Sequence, residues 1–145
     1  MSTLKTLGLL TPLNIPIERA KTLAKNWQSA NPNHAKAFLM PALDLMACML
    51  EMGALVKEQD GSYKVTDIVN NSGIRAYMAI DPSQEEGFGE KLLIVGTTKD
   101  TEGNIIDIIE GRRTNSNALV DPVGSGVFDF TDPCPSECDE GSPLF

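Results

Sequence analysis

The residues best equipped for chemistry lie in the stretch Phe130-Thr131-Asp132-Pro133-Cys134-Pro135-Ser136-Glu137-Cys138-Asp139-Glu140. Two thiols four residues apart, flanked by carboxylates, admit three readings. If Pro135 opens a helical turn, Cys134 takes its cap position, Glu137 stands third in the helix, and Cys138 shares a face with Cys134. The backbone N–H groups of a helix start favour a thiolate, making Cys134 redox-active with Cys138 as its resolving partner. The neighbouring carboxylates work against this by favouring the neutral thiol. In the second reading, the two sulfurs with Asp132 or Asp139 begin a site for a thiophilic metal, although two sulfurs alone leave it incomplete. In the third, the prolines fix a structural turn and the cysteines pack or join in a disulfide. The spacing is one residue longer than Cys-x-x-Cys and follows no βαβ pattern, so it does not select among the three.

A second pair, Arg75 and Tyr77, alternates with apolar residues in Ile74-Arg75-Ala76-Tyr77-Met78-Ala79-Ile80. The alternation puts Arg75 and Tyr77 on one face of a strand, as a ligand-facing pair or as a solvated, locally paired surface, with Ile74, Ala76, Met78 and Ile80 on the other. The remaining candidates are weaker. His34 is the only histidine and lies in an Asn-Pro-Asn-His loop, which excludes multi-histidine zinc sites and weakens any histidine-based triad. There is no Gly-x-Ser-x-Gly elbow and no phosphate loop, and Gly87-Phe88-Gly89 precedes the strong strand pattern instead of following one. Cys48, within Leu45-Met46-Ala47-Cys48-Met49-Leu50, reads as a small buried hydrophobe. Met40, Met46, Met49 and Met52 read as core, with a groove for a partner helix as the alternative. Glu85, Glu86 and Glu90 read as solvating a glycine-rich loop, and a hydrolase would have only these to work with. No catalytic residue and no cofactor site follows from these patterns.

The elements that must position these residues begin with a helix over about 16–29. Pro16 stands at its start, Ile17, Ala20, Leu23, Ala24 and Trp27 recur at helical spacing, and Asn31-Pro32-Asn33 stops it. A short strand over 37–40 precedes a second helix, 42–52, apolar on most sides and ended by Gly53. An Asp60-Gly61 pair between Leu55–Glu58 and Ser62–Val65 predicts a hairpin, and Asn70-Asn71-Ser72-Gly73 a turn. Strands over 74–80 and 91–96 follow, the second nearly continuous in apolar residues, as a central strand is. Residues 105–109 read as a strand or short helix, 115–126 as a loop, and 127–130 as a last strand. The sum is an α+β fold: two N-terminal helices followed by a small, mainly antiparallel sheet.

The chain has 145 residues and a formal net charge of −8. That length suits a single domain, expected over 1–145 with an N-terminal arm over 1–14 and an acidic cysteine-containing tail over 131–145. Residues 1–113 hold all twelve basic residues and fourteen acidic ones, whereas residues 114–145 hold six acidic residues and no base. Such a balance argues against nucleic acid and anionic membranes as partners. The first dozen residues lack the apolar run of a secretory signal, and no stretch matches a spanning helix. The expected location is therefore cytoplasmic, where thiols are kept reduced.

The run Gly73-Ile74-Arg75-Ala76-Tyr77, then Lys91-Leu92-Leu93-Ile94-Val95-Gly96, Gly103-Asn104, and Phe128-Asp129-Phe130 followed by Cys134-Pro135-Ser136-Glu137-Cys138 resembles a family of small uncharacterised Bacteroidota proteins. In that family a Gly-x-Arg-x-Tyr strand precedes a Leu-Ile-x-Val-Gly strand, and the chain ends near Cys-Pro-x-x-Cys. The resemblance spans residues 35–140, with 54–72 longer here. It implies the fold and a cytoplasmic location but no activity or ligand, and it groups Arg75, Tyr77, Cys134 and Cys138 as a set. The functional expectation is a non-enzymatic binding or accessory module with a protein partner. The alternative is a thiol-based redox or metal-binding protein using Cys134 and Cys138.

Overall fold

A computed structural model describes residues 15–86, 88–109, 125–134 and 137–145. The expected arm over 1–14, most of the loop over 115–126, and Pro135 and Ser136 lie outside them. The chain divides into two compact units, one of Met1–Leu39, Ala79–Lys91 and Asp132–Phe145, the other of Met40–Met78 and Leu92–Thr131.

In the first unit, α1 (Ile17–Ala30) follows Pro16, whose φ of −56° already suits a helix. Asn31 closes it: its backbone N–H donates to the Trp27 carbonyl at 2.8 Å and its side-chain amide to the same oxygen at 3.0 Å. The amphipathic pattern forms this helix, yet none of its residues is buried, and Ile17, Leu23 and Trp27 remain exposed. Trp27 instead ties down the loop that follows, its indole N–H donating to the Ala35 carbonyl at 2.9 Å. Beyond that loop, β1 (Ala37–Leu39) pairs antiparallel with β8 (Asp132–Cys134), Ala37 opposite Cys134, Phe38 opposite Pro133 and Leu39 opposite Asp132. The sequence signalled no strand at 132–134 because Pro133 lacks an N–H to donate. A two-stranded sheet leaves each strand an open edge, where proline is tolerated.

The second unit begins with α2 (Ala42–Glu51), introduced by Pro41 and terminated at Met52 and Gly53. Gly53 has φ of 78°, the left-handed conformation that releases the chain from a helix at little steric cost. The predicted hairpin is present as β2 (Leu55–Lys57) and β3 (Tyr63–Val65), Leu55 opposite Val65. At its turn Gly61 supplies φ of 86°, and the Asp60 carboxylate accepts the Ser62 N–H at 2.9 Å. A 3₁₀ turn over Asp67–Asn70 leads to the main sheet.

Its central strand is β5 (Glu90–Lys99). One side carries β4 (Ile74–Ile80). The other is shared by β6 (Ile105–Asp107), with Thr97 opposite Asp107, and β7 (Val127–Phe128), with Ile94 opposite Phe128. Ile94, Val95 and Cys48 are the most completely enclosed side chains, and Met52, Ala54 and Ile108 form a cluster against which Met49 packs. The methionines thus divide: Met52 and Met49 serve the core, while Met40 and Met46 stay partly exposed. β5 passes close over Met52, and a Cβ at Gly96 would lie 3.1 Å from the Met52 Cβ. The architecture is α+β, its antiparallel strands distributed over three small sheets. Among the described residues no helix is long and apolar enough to cross a membrane.

Candidate functional site

Arg75 and Tyr77 point from β4 to a third residue, Asp107, at the end of β6. Arg75 donates from its guanidinium to one carboxylate oxygen of Asp107, and the Tyr77 hydroxyl donates to the other. Arg75 also reaches the Ile105 carbonyl at 3.4 Å. The Asp107 side chain is only 8% exposed, so this carboxylate needs both donors. The Tyr77 hydroxyl first, and the Asp107 charge second, hold Arg75 protonated more firmly than an ordinary arginine. The three groups satisfy one another. Asp107 was missed by sequence reasoning, though its signal was present: one acid inside Ile105-Ile106-Asp107-Ile108-Ile109 must find partners if that run is buried.

Both faces of β4 reach solvent. Tyr77 is 44% exposed although its hydroxyl is bonded to Asp107, and on the apolar face Ile74 is 39% and Met78 65% exposed. β4 also stands at the end of its sheet, with β5 as its strand neighbour among the described residues.

In the first unit, Cys134 and Cys138 are joined in a disulfide with their Cα atoms 4.8 Å apart. Cys134 ends β8, held in the ladder by its place opposite Ala37 and by the Lys36 N–H donated to its carbonyl at 2.8 Å; the helical turn expected from Pro135 falls outside the described residues. Beyond it the Glu137 N–H donates to the Pro133 carbonyl at 3.0 Å, turning the chain so that Cys138 returns to Cys134. The disulfide borders an open cleft of about 190 Å³ lined by Lys36, Glu137, Asp139, Ser142, Leu144 and Phe145 among others. The Lys36 ammonium sits 3.9 Å from the centre of the Phe145 ring. The candidate metal ligands Asp132 and Asp139 are both exposed, Asp132 opposite Leu39 in the β1–β8 ladder and Asp139 accepting the Gly141 N–H at 3.1 Å. With its sulfurs bonded to each other, the pair offers no thiolate to a metal in this form.

Two further groups were misjudged or discounted from sequence. Glu90 does not solvate its loop. Its side chain is 9% exposed, one oxygen facing His34 Nδ1 and the other accepting the buried Ala35 N–H. Nothing in the spacing of Glu85, Glu86 and Glu90 marks the third as different; it is distinguished only by opening β5. Cys48 is the free cysteine and is buried, as its apolar setting implied. Burial first, and Glu51 second, push its thiol above the ordinary range. A recess of about 10 Å³ beside Cys48 and Met52 has room for one water at most.

The structure thus joins Arg75 to Tyr77 through Asp107, and Cys134 to Cys138 directly. The first set belongs to one unit and the second to the other. Comparison of the chain with protein families, curated proteins and solved structures gives no match.

Proposed function

We propose that the chain is a non-enzymatic binding module whose recognition element is β4, and that its ligand is an extended segment of another protein laid along the outer edge of that strand. The observation that carries this reading is the exposed apolar face of an end strand whose polar face is already committed to Asp107. An open strand edge offers unpaired N–H and C=O groups that a second chain can complete, and alternate side chains of the added strand then meet Ile74 and Met78. The net charge of −8 works against a second copy of this chain as the ligand and favours a segment with basic flanks. Arg75, Tyr77 and Asp107 act as positioning residues that hold the face of β4 outward.

The test is selection from a random peptide display library on immobilised protein, repeated with Met78→Asp. Enrichment of sequences with apolar residues at alternate positions and lysine or arginine beside them is the expected result. Met78 is exposed, so Met78→Asp leaves stability within about 0.5 kcal/mol. Its binding falls at least tenfold, ~1.4 kcal/mol or more. Enriched peptides that bind Met78→Asp as well as wild type contradict the proposal.

A further inference from the structure

The disulfide of the first unit carries an inference independent of β4. We propose that Cys134–Cys138 is a thiol–disulfide exchange site, attacked at Cys138 and selective for small neutral or cationic thiols. Four observations lead there.

The two sulfurs differ in access. Cys134 is 2% exposed and fixed in the β1–β8 ladder, whereas Cys138 is half-buried and follows the turn. A thiolate entering from solvent meets Cys138 first, which reverses the order that a helix start at Cys134 would give. Second, the bond is bordered by an open cleft of about 190 Å³, room for a thiol of a few heavy atoms and less than drug-sized ligands occupy. Third, Glu137 and Asp139 set two negative charges on that cleft against the single positive charge of Lys36. They disfavour an anionic thiol and favour a cationic one.

Fourth, the bond is a weak staple and a well-placed couple. It closes a loop with a sequence separation of only 4, where a disulfide restricts the unfolded chain least. Segment 137–145 is meanwhile held without it. Gln28 donates from its amide to the Leu144 carbonyl at 2.8 Å, the Glu137 N–H reaches Pro133, and Lys36 lies over Phe145. After reduction those contacts keep Cys138 beside Cys134, so re-oxidation is intramolecular and fast.

The chemistry balances with a dithiol, or two monothiols, as the reductant. A thiolate attacks Cys138 Sγ; the Cys134–Cys138 bond breaks; Cys134 leaves as a thiolate and takes a proton. A second thiolate then attacks the incoming sulfur of the mixed disulfide and releases Cys138, which is protonated in turn. Two electrons and two protons pass to the protein, and the reductant leaves as its disulfide.

Protein purified without reductant is treated with cysteamine, 2-mercaptoethanol and 3-mercaptopropionate at equal thiolate concentrations, then quenched by alkylation and analysed by fragment mass spectrometry. The expected intermediate carries the thiol on Cys138 and the alkyl group on Cys134. Each rate is divided by the same thiolate's rate with a neutral small-molecule disulfide, which removes intrinsic nucleophilicity. At low ionic strength the rates so corrected fall in the order cationic, neutral, anionic, with a spread of about tenfold that closes in about 1 M salt, where the screening length is roughly 3 Å. An adduct on Cys134, rates independent of thiol charge, or a bond that resists all three thiols in the folded protein overturns the proposal. Single substitutions give a second reading. Cys134→Ser leaves a Cys138 thiol that reacts at least about tenfold faster with a chromogenic disulfide than does the Cys134 thiol left by Cys138→Ser, since the latter must wait for local opening. Equal or reversed rates overturn it as well.

Discussion

A carboxylate embedded among isoleucines is tolerable only when its oxygens are hydrogen-bonded, and Asp107 meets that condition through Arg75 and Tyr77. Asp107→Ala removes the acceptor of both and leaves the guanidinium facing a cavity. The expected loss is about 1–3 kcal/mol of unfolding free energy, read as a lower urea midpoint with an unchanged slope. A loss under about 0.5 kcal/mol, the range of ordinary surface substitutions, means the cluster does not hold β4. At this scale much is legible in the amino-acid sequence alone. Arg75 with Tyr77, Cys134 with Cys138, and buried Cys48 all emerge from residue type and spacing. Asp107 and Glu90 do not, because a buried acid is recognised by partners 30 to 56 residues away in sequence, and periodicity carries no such long-range term.

The elements follow local rules closely. Pro16 and Pro41 start the helices, Gly53 ends the second, and Asp60-Gly61 turns the hairpin, each by a preference of one or two residues. The exception is β8, which lies in the stretch expected as an acidic tail after a last strand over 127–130; it pairs with β1 despite Pro133, since a two-stranded ladder spares the missing N–H. The faces presented by α1 and β4 were the harder part. Amphipathic patterning says which residues share a face, not whether that face is covered, and both elements leave theirs in solvent. Element packing also dictates one glycine. Gly96 lies where β5 crosses Met52, and a methyl group there meets the Met52 Cβ at 3.1 Å. Gly96→Ala should therefore lower stability by about 1–3 kcal/mol. Gly103→Ala makes no such contact, but its φ of 87° brings backbone strain instead, so it is no neutral control. The comparison belongs with Met52→Gly in the same background, which removes that Cβ: coupling of the two substitutions identifies the clash as its source and strict additivity denies it.

Across the whole molecule, carboxylates hydrogen-bonded within their own turns set the response to acid. Asp60, Asp81 and Asp100 all lie in exposed turns. Asp60 and Asp81 are lowered first by the hydroxyls of Ser62 and Ser83, and Asp100 first by the Asn104 backbone N–H. A carboxylate lowered in the folded state contributes stability above its unfolded value of about 3.9, and that contribution disappears as pH falls through the folded value. Urea midpoints should therefore drop below about pH 4, and the triple variant Asp60→Asn, Asp81→Asn, Asp100→Asn should flatten that acid limb while keeping the turns. An acid limb of unchanged slope assigns it to other groups. In the proposed function the net charge of −8 argues against a second copy as the ligand of β4 and for a basic, extended segment. Amide hydrogen exchange, with and without a segment selected on the wild-type protein, tests that claim most directly. The β4 amides that face away from β5 should exchange fast in the free protein and become protected in the complex, and Met78→Asp should abolish the change. Protection confined to the cleft beside Cys138, or none at β4, contradicts it.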